Sequence, residues 1–335
     1  MARSINKGPK PSGGYAKVSS KSLKDAQEKS AKRMAPRPEH PGLGKVARAV
    51  KRPPASVYGD TVATLQTALL GAQKHGIDKL DARMLLLHVL GKNPSDAAWL
   101  MAYNNDALNP LQAAAFGTAC TRRRAGEPVA YITGQREFFG LALQVDARVL
   151  VPRPDTETLV DWALERLQGQ ATPQVLDLGT GSGAIALAIR HATPQAQVTA
   201  VDVSADALAV AQANAQRLAL PVQFLHSSWL AQVSGSFDLI VSNPPYIADA
   251  DPHLPALVHE PLGALTAGTD GLDDIRQIVR QAPAHLQAGG WLLLEHGYDQ
   301  AAAVRALLEQ AGFTQVQSRQ DLAGIERCSG GQRPI

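Results

Sequence analysis

The tetrapeptide Asn243-Pro244-Pro245-Tyr246 follows the apolar run FDLIVS, and its residue types suit the handling of a planar nitrogen. Two consecutive prolines stiffen the turn and remove two N–H donors, which leaves carbonyl oxygens free to accept. Asparagine adds a side-chain oxygen, and tyrosine adds a flat face for packing. The nitrogen of an amide or exocyclic amine is nearly non-basic because its lone pair is delocalised. Acceptors on its two N–H bonds would draw that lone pair toward tetrahedral geometry, ready to attack an electrophilic methyl carbon. Those acceptors are assigned to the Asn243 side-chain oxygen and the Pro244 carbonyl, with Tyr246 against the planar group. Alignment with the methyl donor then supplies much of the rate, and no strong base is needed before transfer. The plainer alternative is a rigid surface turn. Its place at a strand end, about 60 residues after a glycine-rich loop, favours the chemical reading.

That loop is Val175-Leu-Asp-Leu-Gly-Thr-Gly-Ser-Gly183, which leaves an apolar strand, turns on glycines and enters a helix. Glycines let a ligand approach the backbone closely. The spacing is D-x-G-x-G-x-G rather than the dinucleotide G-x-G-x-x-G, and Asp202 ends the next strand about 25 residues on, where an acid can hold ribose hydroxyls. No G-x-x-x-x-G-K-[ST] is present, which disfavours a P-loop nucleotidase. Asp177 beside the loop argues against phosphates and suits a ligand with a cationic amino-acid end, such as S-adenosylmethionine. A structural glycine turn with a solvated aspartate is the bland alternative. The nine histidines contain no H-x-x-x-H pair, His296 reads as a strand-end residue, and Ser182 does not sit in a G-x-S-x-G elbow. No metal is expected.

The elements that must position these residues alternate. From Asp155 onward, helical and strand patterns follow one another, with continuous apolar strands at QVLDLG, QVTAVDV, FDLIVS and GWLLLEHG. Such alternation predicts a parallel sheet covered on both faces. Upstream, Leu65, Ala68, Leu69 and Ala72 recur at helical spacing, as do Ala82, Leu85, Leu86 and Val89. Asp60 and Thr61 read as N-caps, Gly76 and Gly91 as helix stops, and Pro94 and Pro110 as punctuation. The expected organisation is a basic disordered extension over 1–55, a small helical bundle over 56–128, a β-hairpin linker over 129–150 turning on Gly134 and Gly140, and an α/β domain over 151–335.

Charge follows the same division. Residues 1–55 carry 14 Lys and Arg against 3 Asp and Glu; the rest carries 19 against 27. A basic tail thus precedes a body of net −8. The tail reads either as an RNA-binding arm or as a solubilising extension. Two distant cysteines, no transmembrane-length apolar run and no signal-peptide pattern predict a soluble, cytoplasmic protein.

DLGTGSG, Asp202 and NPPY together resemble Rossmann-like Class I methyltransferases of the amino or amide type. The segments GEPVAYITGQREFFGL (126–141), VLVPRPDTETLV (149–160), NPPYIADADPHL (243–254), HEPLGALTAGTDGLDDIRQI (259–278) and LLLEHG (292–297) resemble the peptide-chain release factor glutamine methyltransferases, the HemK/PrmC family, over about residues 60–335. The resemblance implies N5-methylation of the glutamine in the Gly-Gly-Gln motif of class I release factors, with S-adenosylmethionine as cofactor. It implies cofactor contacts at Gly179, Thr180, Gly181, Ser182, Gly183, Asp202, Trp229 and also Asn243, and substrate contacts at Asn243, Pro244, Pro245 and Tyr246. It gives the helical region a docking role. Ser228 stands in the adenine segment, Ser227-Ser228-Trp229, where many relatives carry Asp before the Trp or Leu. Arg153, Asp155 and Glu157 either shape the site's rim or cap a helix. A ribosomal-protein glutamine and a nucleic-acid adenine remain alternative targets, although the acidic body disfavours DNA. No stable nucleic-acid partner is expected, and a monomer is. The C-terminal Gly330-Gly331-Gln332 repeats the tripeptide of the family's substrate, by coincidence or as a site of self-methylation.

Overall fold

A capping box starts the first helix: Thr64 Oγ1 accepts from the Thr67 amide at 3.2 Å, and Thr67 Oγ1 accepts from the Thr64 amide at 2.8 Å. The computed structural model describes residues 63–335; the basic segment 1–55 and Asp60 and Thr61 lie outside the described residues. Helix α1 (Leu65–Lys74) and α2 (Lys79–Val89) end just before Gly76 and Gly91, whose φ of 82° and 64° allow the left-handed stop. The short α3 (Ala97–Ala102) and α4 (Pro110–Arg124) complete the bundle. Asn109 and Gln112 form a second capping box on α4, with Pro110 at its first position. Leu65, Ala68, Ala72, Ala82, Leu85 and Leu86 are buried together, with Phe116 from α4.

The segment Val129–Thr133 departs from the expected hairpin linker over 129–150. It is a short helix, α5, and only Gln135–Phe138 (β1) and Leu141–Gln144 (β2) form the hairpin. The β-branched residues favour a strand locally, but tertiary burial overrides them. Ile132 packs into the helical bundle, while Ala130 and Tyr131 pack with Val145, Val149 and Val151.

The remaining chain builds a seven-stranded sheet: β3 (Gln174–Leu178), β4 (Gln197–Asp202), β5 (Gln223–His226), β6 (Phe237–Ser242), β7 (Leu286–Glu295), β8 (Thr314–Gln320) and β9 (Glu326–Gln332), in the order 5-4-3-6-7-9-8. Helices α6 (Glu157–Leu167), α7 (Ala184–Ala192), α8 (Ala205–Leu218), α9 (Asp273–Gln281) and α10 (Ala301–Gln310) connect the strands. The sheet is mixed rather than wholly parallel, because β9 runs antiparallel to both β7 and β8.

The central strands are apolar throughout because both faces are covered. Val175, Leu239, Val241 and Leu293 pack with Leu159 and Trp162 of α6 and Leu187 of α7. Their neighbours Leu176, Leu178, Ile240, Leu292 and Leu294 face the other way, onto Ile275 and Ile278 of α9 and Val304 and Leu308 of α10.

Gly330 and Gly331 belong to this packing. A Cβ on Gly330 would stand 2.5 Å from Leu293 Cδ2, and one on Gly331 would stand 2.8 Å from Phe313 Cβ. Gln332 pairs with Trp291 midway along β7, its amide donates to the Gly289 carbonyl at 2.8 Å, and its Oε1 accepts from Gln315 at 2.5 Å. Gln332 lines neither site cavity and its side-chain amide is engaged on both ends, so packing accounts for the tripeptide and nothing presents Gln332 to its own site.

Candidate active site

Strands β3, β4 and β6 end side by side, which brings Asp177, Asp202 and Ser242 to one edge. The turn after β3 is held from two sides. Gly179 and Thr180 both donate to the Val201 carbonyl, at 2.8 and 2.9 Å, and Gly181 donates to Asp202 Oδ2 at 2.8 Å. Gly179, Gly181 and Gly183 have φ of 71°, 55° and 83°. A Cβ on Gly179 would come within 3.2 Å of the Trp229 ring, so this glycine serves both the turn and a close approach.

A cavity of about 400 Å3 opens over this edge. Gly179, Thr180, Gly181, Ser182, Asp202, Ser228, Trp229, Asn243 and Pro245 line it. Asp177 and Gly183 do not; they shape the loop from behind. Asp177 is wholly buried, and its Oδ2 accepts from the Thr180 hydroxyl at 2.7 Å and the Ala186 amide at 3.2 Å. Its Oδ1 is buried and, among the described residues, accepts no hydrogen bond. Burial pushes this carboxyl up to about 7, against the pull of those two donors. Gly183 lets the start of α7 sit on α8, since a Cβ there would lie 3.2 Å from Ala211 Cβ.

Asp202 accepts from Gly181 through one oxygen and from Ser204 N, at 2.9 Å, through the other. Each carboxylate oxygen keeps further lone-pair capacity toward the cavity. Trp229 sits at φ 47°, rare for a bulky side chain, and its indole N–H donates to Asp274 Oδ1 at 3.1 Å. Burial raises the Asp274 carboxyl above the ordinary aspartate range, and the indole hydrogen bond opposes the shift. Ser227, beside Ser228, is turned inward, where its hydroxyl accepts from the Gln232 amide at 2.9 Å.

A second, smaller cavity of about 190 Å3 adjoins the first, lined by Pro244, Tyr246, Ile247, Leu257 and Leu265. Leu150, Arg153, Asn243 and Ala264 line both, so the two spaces meet at Asn243. Asn243 Nδ2 donates to Thr156 Oγ1 at 3.3 Å. Among the described residues its Oδ1 and the Pro244 carbonyl accept no hydrogen bond. The Tyr246 hydroxyl donates to Glu295 Oε1 at 3.3 Å, and burial together with this carboxylate raises the phenol above its ordinary value. The Tyr246 carbonyl accepts from Gln300 Nε2 at 3.0 Å.

Three site residues, Thr156, Asp274 and Glu295, were not singled out in the sequence. Glu295 was read only as part of LLLEHG, at the end of a strand. Arg153, Asp155 and Glu157 cap no helix through their side chains. Arg153 pairs with buried Glu260, Asp155 with Arg327 at 3.4 Å, and Glu157 accepts from the Phe139 amide at 3.0 Å. Only Arg153 reaches the cavities. His296 is buried at the end of β7, where Nε2 meets Ser329 Oγ at 2.8 Å.

Chemically, one space offers a glycine cradle, a carboxylate and an indole to a nucleoside-sized ligand. The adjoining space offers two unfilled acceptors and an aromatic ring to a small planar group. The family model described as "Methyltransferase small domain" matches residues 156–320, and "PrmC N-terminal domain" matches residues 64–134. The release factor glutamine methyltransferase of Bordetella pertussis is 54% identical over 260 residues, covering 76% of this chain and 95% of that protein. The enzyme of the same name from Burkholderia pseudomallei is 50% identical over 268 residues, covering 77% and 93%. That from Vibrio cholerae is 46% identical over 277 residues, covering 81% and 96%.

Proposed function

The chain belongs to the release factor glutamine methyltransferase family, and from that premise we propose that it methylates N5 of the glutamine in the Gly-Gly-Gln motif of class I peptide chain release factors. The observation that carries this reading is the meeting of two cavities at Asn243, with the Asn243 Oδ1 and Pro244 carbonyl oxygens unfilled there. The cofactor is S-adenosylmethionine, which supplies the electrophilic methyl group when bound. The residues present fit it. Gly179 and Gly181 leave room at the backbone, Asp202 suits the ribose hydroxyls, and Trp229 with Ser228 suits the adenine.

The chain's own contribution is placement and polarity. Asn243 Oδ1 and the Pro244 carbonyl accept the two N–H bonds of the acceptor amide, and Tyr246 holds its plane. Apolar Ile247, Leu257 and Leu265 receive the aliphatic part of the side chain. Holding the nitrogen in near-attack geometry replaces the entropy that a collision in water would lose. The net −8 charge of residues 56–335 favours a protein acceptor over DNA.

The same reading has the enzyme monomeric and at work in the cytoplasm; no helix among the described residues is long and apolar enough to cross a membrane. The test is transfer of labelled methyl from S-adenosylmethionine to a purified release factor, to a copy with Ala in place of the motif glutamine, to a ribosomal protein extract and to duplex DNA. Label on the intact factor alone is expected. Label on DNA, on ribosomal protein, or equally on both factor copies overturns the assignment of substrate.

A further inference from the structure

An asparagine amide has nearly the same shape either way round, yet one end accepts hydrogen bonds and the other donates. The acceptor role assigned to Asn243 requires its oxygen, not its NH2, to face the smaller cavity. Something buried must therefore choose the orientation.

The neighbour that meets the Asn243 amide is Thr156, 4% exposed, whose Oγ1 accepts from Nδ2. A hydroxyl can both donate and accept, so by itself it would serve either orientation. Near enough for the Thr156 hydroxyl to act on its carboxylate stands Glu295, 1% exposed, at the end of β7. Its Oε1 accepts a hydrogen bond from the Tyr246 hydroxyl, and among the described residues its buried Oε2 accepts none, which leaves an acceptor open to a hydroxyl. An ionised carboxylate only accepts. The Thr156 hydroxyl favours the ionised form of Glu295, and donating its proton there would leave the Thr156 lone pairs to the Asn243 NH2.

We propose that Glu295 and Thr156 form a positioning pair that sets the Asn243 amide with Oδ1 toward the acceptor nitrogen, while the same carboxylate anchors Tyr246. Neither residue touches the reacting atoms in this scheme. The inference deepens the reading of Asn243 as an acceptor and rests on it.

The pair has a built-in pH dependence. Burial raises the Glu295 carboxyl to about 7; Thr156, Tyr246 and Arg327 pull it down and Asp155 pushes it up. Cys328, its partner across the β7–β9 ladder, is the other titratable group that feels its charge. When protonated, Glu295 can donate, Thr156 is released to donate to Asn243, and the amide can turn over. Activity should therefore rise with pH through about 7 as the carboxylate forms.

The experiment compares wild type, Thr156→Val, Thr156→Ser and Glu295→Gln in turnover, cofactor affinity, pH profile and melting temperature. It adds the side-chain amide signals of 15N-asparagine-labelled protein, with the Asn243 pair assigned by its loss in Asn243→Ala. Thr156 also lines the larger cavity, so turnover is compared at saturating cofactor. Misplacement at an acceptor costs up to about 100-fold, and Thr156→Val should then lower kcat about 10- to 100-fold. Thr156→Ser should restore most of it, and Glu295→Gln should abolish the rise with pH. In the labelled protein, Asn243 NH2 exchange with water should be slow in wild type and faster in Thr156→Val and Glu295→Gln. Unchanged kcat in folded Thr156→Val, a persisting pH rise in Glu295→Gln, or unchanged amide exchange overturns the positioning role. The exchange measurement needs no acceptor, so it decides the pairing even if labelled methyl appears on a substrate other than a release factor.

Discussion

Replacing Asn243 with Ala removes one of the two acceptors assigned to the substrate amide and leaves the Pro244 carbonyl in place. Loss of one preorganised hydrogen-bonding partner at a reacting centre costs about 100- to 1000-fold in rate, or about 2.7–4 kcal/mol. Asn243 lines both cavities, while Gly181, Asp202 and Trp229 line only the larger one and keep their own hydrogen bonds in the variant. Cofactor affinity should therefore fall by no more than about threefold, under 1 kcal/mol. Stability should change little, because Asn243 makes a single side-chain hydrogen bond, 3.3 Å long, to Thr156. A net loss of about 0.5–1.5 kcal/mol follows, a few degrees of melting temperature at most. The assay is single-turnover methyl transfer to a release factor at saturating S-adenosylmethionine, with titration calorimetry for the cofactor and a thermal melt. Transfer within fivefold of wild type would refute the acceptor role. A tenfold or larger loss of cofactor affinity would move Asn243 from the acceptor side to the cofactor side.

Gly179→Ala should weaken cofactor binding about tenfold or more by pressing on the Trp229 ring 3.2 Å from the new Cβ and by straining a φ of 71°; undiminished affinity by calorimetry would contradict the cradle. Gly271→Ala would set a Cβ 2.2 Å from the Tyr246 carbonyl, so transfer should drop at least tenfold with cofactor affinity nearly kept, and a wild-type rate would show that this backbone contact does not hold the turn. Asp177 holds its proton up to about 7 when folded, whereas an ordinary aspartate releases it near 3.8. Between those values the unfolded chain binds fewer protons, so stability falls as pH rises from about 4 to about 7 and levels off above. Asp177→Asn should reduce that fall in denaturant titrations and leave the share that Glu295, also raised to about 7, contributes; an identical slope in both proteins would exclude Asp177 as a source.

The glycine loop, Asp202 and the NPPY turn were legible because each is contiguous and placed by a strong apolar strand. The central strands were legible for the same reason: Leu239, Ile240 and Val241 are buried on alternating faces, and such a run has few other uses. The C-terminal stretch ERCSGG reads as a short strand and is one, β9, but its direction in the sheet was not legible. Its ERCSGGQ sequence lacks apolar alternation because two glycines make room for Leu293 and Phe313, and nothing in it states its direction. Val129–Thr133 misled through local propensity, since its strand-forming residues are buried as a helix between two clusters. Thr156 and Glu295 were illegible as site residues because their role depends on neighbours 87 and 49 positions away along the chain.

The wall of the smaller cavity shows how distant segments make one preformed site. It is built largely by the segment between Tyr246 and Gly268, whose ends are tied by Ile247 N to the Leu265 carbonyl, Ala267 N to the Ile247 carbonyl and Asp249 N to the Gly268 carbonyl, at 2.9, 3.0 and 2.9 Å. A loop tied only at its ends would leave its middle free. Here two consecutive residues reach in different directions. His259 Nε2 meets the Ala125 carbonyl at the end of α4, 3.0 Å away, while Glu260 pairs with Arg153 and accepts from the Val151 amide at 3.0 Å. Glu260 is almost fully buried, so losing either partner would leave a charge without compensation. The helical bundle and the segment before α6 thus grip the same stretch of chain from two sides. Arg153, held by Glu260 of that stretch, lines both cavities, so the same contacts that fix the acceptor wall also fix a side chain at the place where the two cavities join.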